Sequence, residues 1–345
     1  MSALSAGRVV VTGAAGFIGS HLAEALLDLD FEVVGIDAFT ASYAAADKRA
    51  NIAGLVGRPG FRLFEGDLSV MDVDPLLDGV EVVFHQAAQA GVRSSWGRDF
   101  DRYVRDNVIA TQRLLEACVR CGVKRLVGAS SSSVYGDAPT YPTTEASVTR
   151  PVSPYGVTKL ASEHLCLAYA QLGASGSATG PASAMTVATL RYFTVYGPRQ
   201  RPDMAFRRFF EAAYTGDPIT VYGDGEQTRD FTYVGDAVRA NLLAMTAPFQ
   251  AEAVNVGGGR RVTLNEILDL VGRITGRRLN IKHAPWQPGD ARHTGADGAR
   301  AEALLGYRPE VDLETGLARE AAWVASLLGA RIGERSSSTS ELGAL

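Results

Sequence analysis

Tyr155 and Lys159 stand four residues apart in SPYGVTK, the segment from Ser153 to Lys159. On a helix that spacing puts both side chains on one face, a turn apart, and Pro154 marks the start of that helix. A tyrosine left alone titrates near about pH 10. A neighbouring ammonium favours the phenolate and draws it toward working pH, so the pair can take a proton from a substrate hydroxyl. Ser131 lies upstream in the run Ser130 to Ser133, at the C-terminal end of an expected strand. A hydroxyl there can share the same substrate oxygen with Tyr155. Lysine is used sparingly: arginine supplies 30 of the 34 basic residues, which marks out Lys159.

A second constellation opens the chain. VVVTGAAGFIG, Val9 to Gly19, places Gly13, Gly16 and Gly19 directly after a strand-like run and at the start of a helical one. Glycines there permit a tight turn, close approach of a pyrophosphate and close helix–strand packing, while the helix N-terminus favours phosphate charge. Phe17 and Ile18 belong to the same turn. Asp37 ends the second strand, at the distance expected of a carboxylate that accepts hydrogen bonds from an adenosine ribose. It would repel a 2′-phosphate, and the following Ala38 and Phe39 supply no basic replacement, which favours NAD over NADP. Asp67 and Leu68, after the third strand, are expected at the adenine. The positive nicotinamide would further favour the Tyr155 phenolate.

The elements that must position these groups alternate in type. RVVVTG, FEVVGID, FRLFEGD, VEVVFHQAA and RLVGASSS read as buried strands, because their apolar residues are nearly continuous. Between them lie helical patterns such as SHLAEALLDL and NVIATQRLLEACVRCG. The expectation is an α/β fold with a Rossmann-like, doubly wound parallel sheet and a smaller C-terminal substrate-binding lobe. Residues 1–197 are expected to form the cofactor domain, with about 225–260 returning to it. Residues 198–330 would form most of the lobe, and 331–345 a disordered tail. GASGSATGPASA, 173–184, has the composition of a mobile surface loop.

Composition excludes several alternatives. The 345 residues are 46% hydrophobic and 21% charged, ordinary for a globular protein, and the net charge of -4 offers no footprint for nucleic acid. No run approaches the ~20 apolar residues of a membrane span. A strand is expected within a few residues of Met1, so no signal peptide is expected. Three cysteines, Cys118, Cys121 and Cys166, fit a reducing, cytoplasmic setting. Cys118 and Cys121 form a C-x-x-C, but in a helical pattern with no second ligand pair, so they are expected to be structural. With five scattered histidines no metal site is expected, and His85 at a strand end is expected to be structural.

Together these motifs resemble the extended short-chain dehydrogenase/reductase superfamily, and within it the NAD-dependent nucleotide-sugar epimerases, dehydratases and decarboxylases. The likeness runs from Arg8 to Trp323 and includes HQAAQAGVR (85–93), SSSSVYG (130–136), LRYFTVYGPRQRPDMAF (190–206), GEQTRDFTYVGD (225–236) and QPGDARHTGAD (287–297). It implies a first oxidation at the sugar C4 to a 4-keto species, catalysed by Ser131, Tyr155 and Lys159. Gln86, Ala87, Ala88 and Tyr192 are implied near the cofactor. Dehydratases of this type carry Asp–Glu just after the catalytic serine, and decarboxylases a Glu at the second position. Here those positions are Ser132 and Ser133, which disfavours both and leaves epimerisation.

AAQAGVR, the serine-rich strand end and RYFTVYGPRQRPDM resemble the UDP-glucuronate 4-epimerases most closely. Thr194 replaces the Asn usual in UDP-galactose epimerases. A 4-keto uronate is a β-keto acid and loses CO2 when its C5–carboxylate bond aligns with the carbonyl. Hydroxyls of Ser132, Ser133 and Thr194 could hold the carboxylate out of that alignment. The resemblance further implies Arg93, Arg201 and Arg229 in substrate binding, the last two at phosphates, Phe206 and Tyr222 at the uracil or ribose, and Asp290 at a ribose hydroxyl. The alternatives are UDP-glucose or UDP-N-acetylglucosamine 4-epimerisation, or UDP-glucuronate decarboxylation. Helices around 105–121 and 155–172 resemble those that pair into a four-helix bundle in dimeric relatives, so a homodimer is expected.

Overall fold

The computed structural model describes residues 7–174, 185–286 and 291–341. Six strands appear in the first 192 residues: β1 (Arg8–Thr12), β2 (Glu32–Asp37), β3 (Phe61–Glu65), β4 (Val80–His85), β5 (Arg125–Ser131) and β6 (Thr186–Tyr192). A seventh, Ala251–Val256, joins them at the edge beside β6. The sheet order is Ala251–Val256, β6, β5, β4, β1, β2, β3, and every pairing is parallel.

Near-continuous apolar strands are what a sheet covered on both faces requires. Val9 and Val11 point into one core with Leu22 and Leu26 of helix Phe17–Asp28, while Val10 points into the other with Leu114 and Leu115 of helix Ala110–Cys121. The order in which successive strands are added reverses between β1 and β4, so a crevice opens at their carboxyl ends, the usual ligand position in open parallel sheets. Thr12, Asp37, His85, Ser131 and Tyr192 end strands on that edge.

Beyond β6 a smaller lobe has its own core. Phe209 and Phe210 of helix Ala205–Thr215, Ile267 and Val271 of helix Leu264–Thr275, and Leu317 and Val324 of helix Leu313–Glu341 pack together there. Short strand pairs, Ile219–Tyr222 with Ile281–Ala284 and Thr228–Asp230 with Arg261–Thr263, line it. Ala301, Leu305 and Tyr307, within the stretch expected mainly in the lobe, pack into the sheet core instead. The last helix continues to Glu341, through much of the segment whose composition predicts a disordered tail. Backbone helix needs only local hydrogen bonds, so scarce apolar residues do not forbid it. Residues 175–184, most of the small-residue insertion, and Asp290 lie outside the described residues. Among the described residues no helix is long and apolar enough to cross a membrane, and no cluster of ligating side chains could hold a metal.

Candidate active site

Two depressions meet at the carboxyl edge of the sheet. One runs over Gly13, Gly16, Asp37, Asp67, Gln86, Lys159 and Tyr192; the other lies against the lobe, between Arg93, Thr194, Tyr222 and Arg229. Tyr155 and Arg201 line the first.

The glycine turn is built as its residues dictate. Gly13 takes φ +67°, in the left-handed region, and a side chain at Gly19 would meet the Gly13 carbonyl at 2.1 Å. Gly16 precedes helix Phe17–Asp28 with no side-chain cap, so the amides of the first turn are left for a ligand anion. Phe17, Ile18, Leu68, Ala87 and Ala88 complete the wall. These residues fit NAD: uncapped amides for its pyrophosphate and a buried carboxylate, Asp37, for its ribose.

Asp37 accepts from Phe39 N at 2.8 Å and from Ala15 N at 3.1 Å. Its side chain also faces a cation that does not come from the residues directly after it. Lys48, eleven residues on in helix Ala45–Ile52, reaches Oδ1 at 3.1 Å. Only the return of that helix over the strand end brings it there.

On helix Pro154–Ala174, Tyr155 and Lys159 share the face predicted by their spacing. Lys159 is buried, and its Nζ donates to the Ala129 carbonyl at 2.5 Å. Burial lowers its pKa to about 8, while Cys166 and Glu163 pull it upward. Burial pushes the Tyr155 phenol above its ordinary value; a hydrogen bond with Ser131 and the charge of Arg201 act in the opposite direction. Ser131, Tyr155 and Lys159 are thus brought together. When bound, the positive nicotinamide of NAD and a substrate hydroxyl would favour the phenolate further.

Two supports, Asn107 and Asn241, carried no signal in the sequence. Asn107 sits where helical winding loosens to a π turn, Val104–Ile109. Its side chain bonds Gln89 N at 2.7 Å and Thr158 Oγ1 at 3.0 Å, tying the π turn to the Tyr155 helix. Tyr192, Gln86 and Asn241 close a triangle: Asn241 donates to the Tyr192 hydroxyl at 2.6 Å, and Gln86 donates to Asn241 at 3.0 Å. His85 lies between Thr12 and Thr111 hydroxyls, 2.8 and 2.9 Å away, with burial lowering its pKa to about 3. It is a neutral structural group. Cys118 is buried and its thiol is pushed up by desolvation, an inert setting.

The expected substrate contacts divide. Arg93 stacks over the Tyr222 ring at 4.4 Å in the lobe groove, with Thr194 and Arg229 along the same wall. Arg201 instead lines the cofactor cleft and forks onto Asp203 at 3.0 and 2.8 Å. Phe206 borders the groove but is 1% exposed, its ring 4.6 Å from Phe231 and 5.4 Å from Tyr196. Its ring packs into the lobe core beneath the groove. Ser132 and Ser133 form a part-buried turn just beyond Ser131, outside the walls of both depressions.

The parallel sheet, the glycine turn and the Ser131–Tyr155–Lys159 group define an NAD-dependent enzyme of the extended short-chain dehydrogenase type. Residues 9–257 match the NAD dependent epimerase/dehydratase family, and the chain belongs to it. It is 42% identical over 322 residues to a Bacillus subtilis (strain 168) protein called an uncharacterized UDP-glucose epimerase, YtcB, spanning 93% of this chain and 98% of that one. It is 34% identical to a UDP-glucuronate 4-epimerase of Thermodesulfobacterium geofontis, spanning 92% and 96%. Among solved structures it superposes with TM-score 0.87 on UDP-glucuronic acid 4-epimerase from Bacillus cereus in complex with UDP-glucuronic acid and NAD. That pair is 40% identical, over 93% of this chain and 99% of that one.

Proposed function

We propose that this protein epimerises UDP-glucuronate at C4 to UDP-galacturonate. The observation that carries the reading is the hydrogen-bonded Ser131–Tyr155 pair over a buried Lys159, beside a groove containing Thr194, with serines at 132 and 133 where elimination would need acids. When bound, NAD accepts a hydride from C4 and returns it, so the net reaction consumes no reductant.

Tyr155, as phenolate, takes the C4 hydroxyl proton, and Ser131 steadies the same oxygen. Lys159 holds a positive charge beneath the phenolate and lowers the energy of that form. For inversion the sugar must turn between the two transfers while the nucleotide stays anchored. Arg93 stacked on Tyr222, with Arg229 beside them, supplies an anchor remote from the reacting carbon. Tyr155 then returns the proton to the reformed alkoxide. Thr194, with Ser132 and Ser133 after a small rearrangement of their turn, holds the carboxylate away from the alignment that would expel CO2.

A second reading, UDP-glucose as substrate, is favoured by the name given to the Bacillus subtilis protein. Incubating purified protein with UDP-glucuronate, without added NAD, and separating C4 epimers by chromatography tests the choice. UDP-galacturonate without UDP-xylose is the expected result. No conversion even with NAD added moves the assignment to the neutral sugars.

The assembly proposed with this activity is a homodimer. Ile109, Val157 and Leu172 are large apolar residues left exposed along the two helical stretches expected to pair, which supports it. Light scattering on the purified protein gives the answer directly.

A further inference from the structure

Helix Pro154–Ala174 carries a third polar residue in register with Tyr155 and Lys159. Glu163 lies one turn beyond Lys159 and is 1% exposed. A carboxylate so deep must be compensated. Arg191 of β6 provides a two-pronged partner, Nε to Oε2 at 2.9 Å and Nη2 to Oε1 at 2.6 Å. Ser130 of β5 donates to Oε2 at 2.6 Å.

Each partner is one residue from a group at the cleft: Ser130 precedes Ser131, and Arg191 precedes Tyr192. Arg191 also donates to the Tyr135 hydroxyl at 2.6 Å, which donates to Asn255 of the edge strand at 2.7 Å. One carboxylate therefore joins the Tyr155 helix to two strand ends and, through Arg191, to a third strand. Ser130 lines the cofactor cleft, whereas Glu163, Arg191, Tyr135 and Asn255 do not, so the effect of the Glu163–Arg191 pair on the reaction must pass through others.

We propose that Glu163 and Arg191 are a positioning pair that seats the Tyr155–Lys159 helix against the strand ends and, through the nearer negative charge, keeps Lys159 protonated. The proposal rests on the catalytic reading above. The groups facing Lys159 are Glu163 and Cys166 on its own helix and His85 from β4. His85 is held neutral and Cys166 protonated by burial, so Glu163 is the charge of opposite sign acting on the ammonium. Arg191 forks onto that carboxylate and offsets part of its charge.

The test is the pH dependence of kcat/KM for the parent, Glu163→Gln, Arg191→Lys and the double variant Glu163→Gln/Arg191→Met, with UDP-glucuronate, or UDP-glucose if only that is turned over. The alkaline limb of Glu163→Gln is expected about one unit below the parent's. Arg191→Lys, which keeps the charge and loses the fork, should keep the limb and lower the rate. The double variant should fall between parent and Glu163→Gln. A folded Glu163→Gln protein with an unmoved limb overturns the proposal. Should that variant fail to fold, the double variant decides in the same way, since a merely structural pair changes rate and melting temperature without moving the limb. Absence of parental turnover on UDP-glucuronate speaks against the substrate assignment, not against this pair.

Discussion

Lys48 Nζ stands 3.1 Å from Asp37 Oδ1, with the two side chains only 9% and 4% exposed. The carboxylate proposed to hold the cofactor ribose is therefore half of a buried ion pair. Removing one partner strands the other, an effect worth about 3–5 kcal/mol in buried pairs. In Asp37→Asn the ammonium would remain without compensation at the ribose edge of the cleft, where a 2′-phosphate could supply it. The ratio of NADP to NAD affinity is expected to rise at least about tenfold. Calorimetric titration of both dinucleotides into the cofactor-stripped variant checks this, and an unchanged ratio would show that Lys48 does not reach the 2′ position.

Tyr155→Phe removes one oxygen and leaves the ring against Tyr103, 6.3 Å between centroids. Turnover should fall by at least about 100-fold, the usual scale for a lost acid–base group, with bound NAD retained. Parental activity should also decline as pH rises through about 8, where Lys159 gives up its proton. Steady-state rates from pH 6 to 10, with cofactor content by absorbance, report both.

The Thr194 carbonyl accepts from Thr232 N at 2.9 Å, a bond that Thr194→Val preserves. The side chain keeps its shape and loses a hydroxyl. If that hydroxyl holds a sugar carboxylate, kcat/KM for UDP-glucuronate should drop about tenfold more than for UDP-glucose, since hydrogen bonds to charged groups are the stronger class. Equal losses on both substrates would remove Thr194 from carboxylate recognition.

Glu320 is 0% exposed, accepts from Gly197 N at 2.9 Å and leaves Oε1 without a hydrogen-bond partner. Burial raises its pKa well above the ordinary carboxyl value. The folded protein thus binds this proton more tightly than the unfolded chain. The associated stability is complete at pH below the ordinary carboxyl range and is lost as pH rises toward the raised folded value. Glu320→Gln mimics the protonated form, so its melting temperature should exceed the parent's at pH 8 and approach it at pH 4.5. A constant difference across that range would mean that Glu320 does not titrate on unfolding.

Groups separated by a few residues were legible before any fold was known, because local backbone geometry alone relates them. A helix puts Tyr155 and Lys159 on one face, and a strand–turn–helix puts Gly13, Gly16 and Gly19 around a phosphate-sized space whatever surrounds them. Continuous apolar runs likewise implied a sheet covered on both sides. Pairings between distant segments depend on strand order, on how deeply each helix seats and on which face it buries. Arg191 meets Glu163 because β5 and β6 are neighbours under the same helix. Lys48 meets Asp37 because a short helix folds back over β2. Arg201 faces the cofactor cleft, and Phe206 turns into the lobe core, because side-chain direction follows from packing of the whole lobe. Motif chemistry was written in local spacing; its electrostatic setting was decided by tertiary contacts, where burial magnifies every unpaired charge.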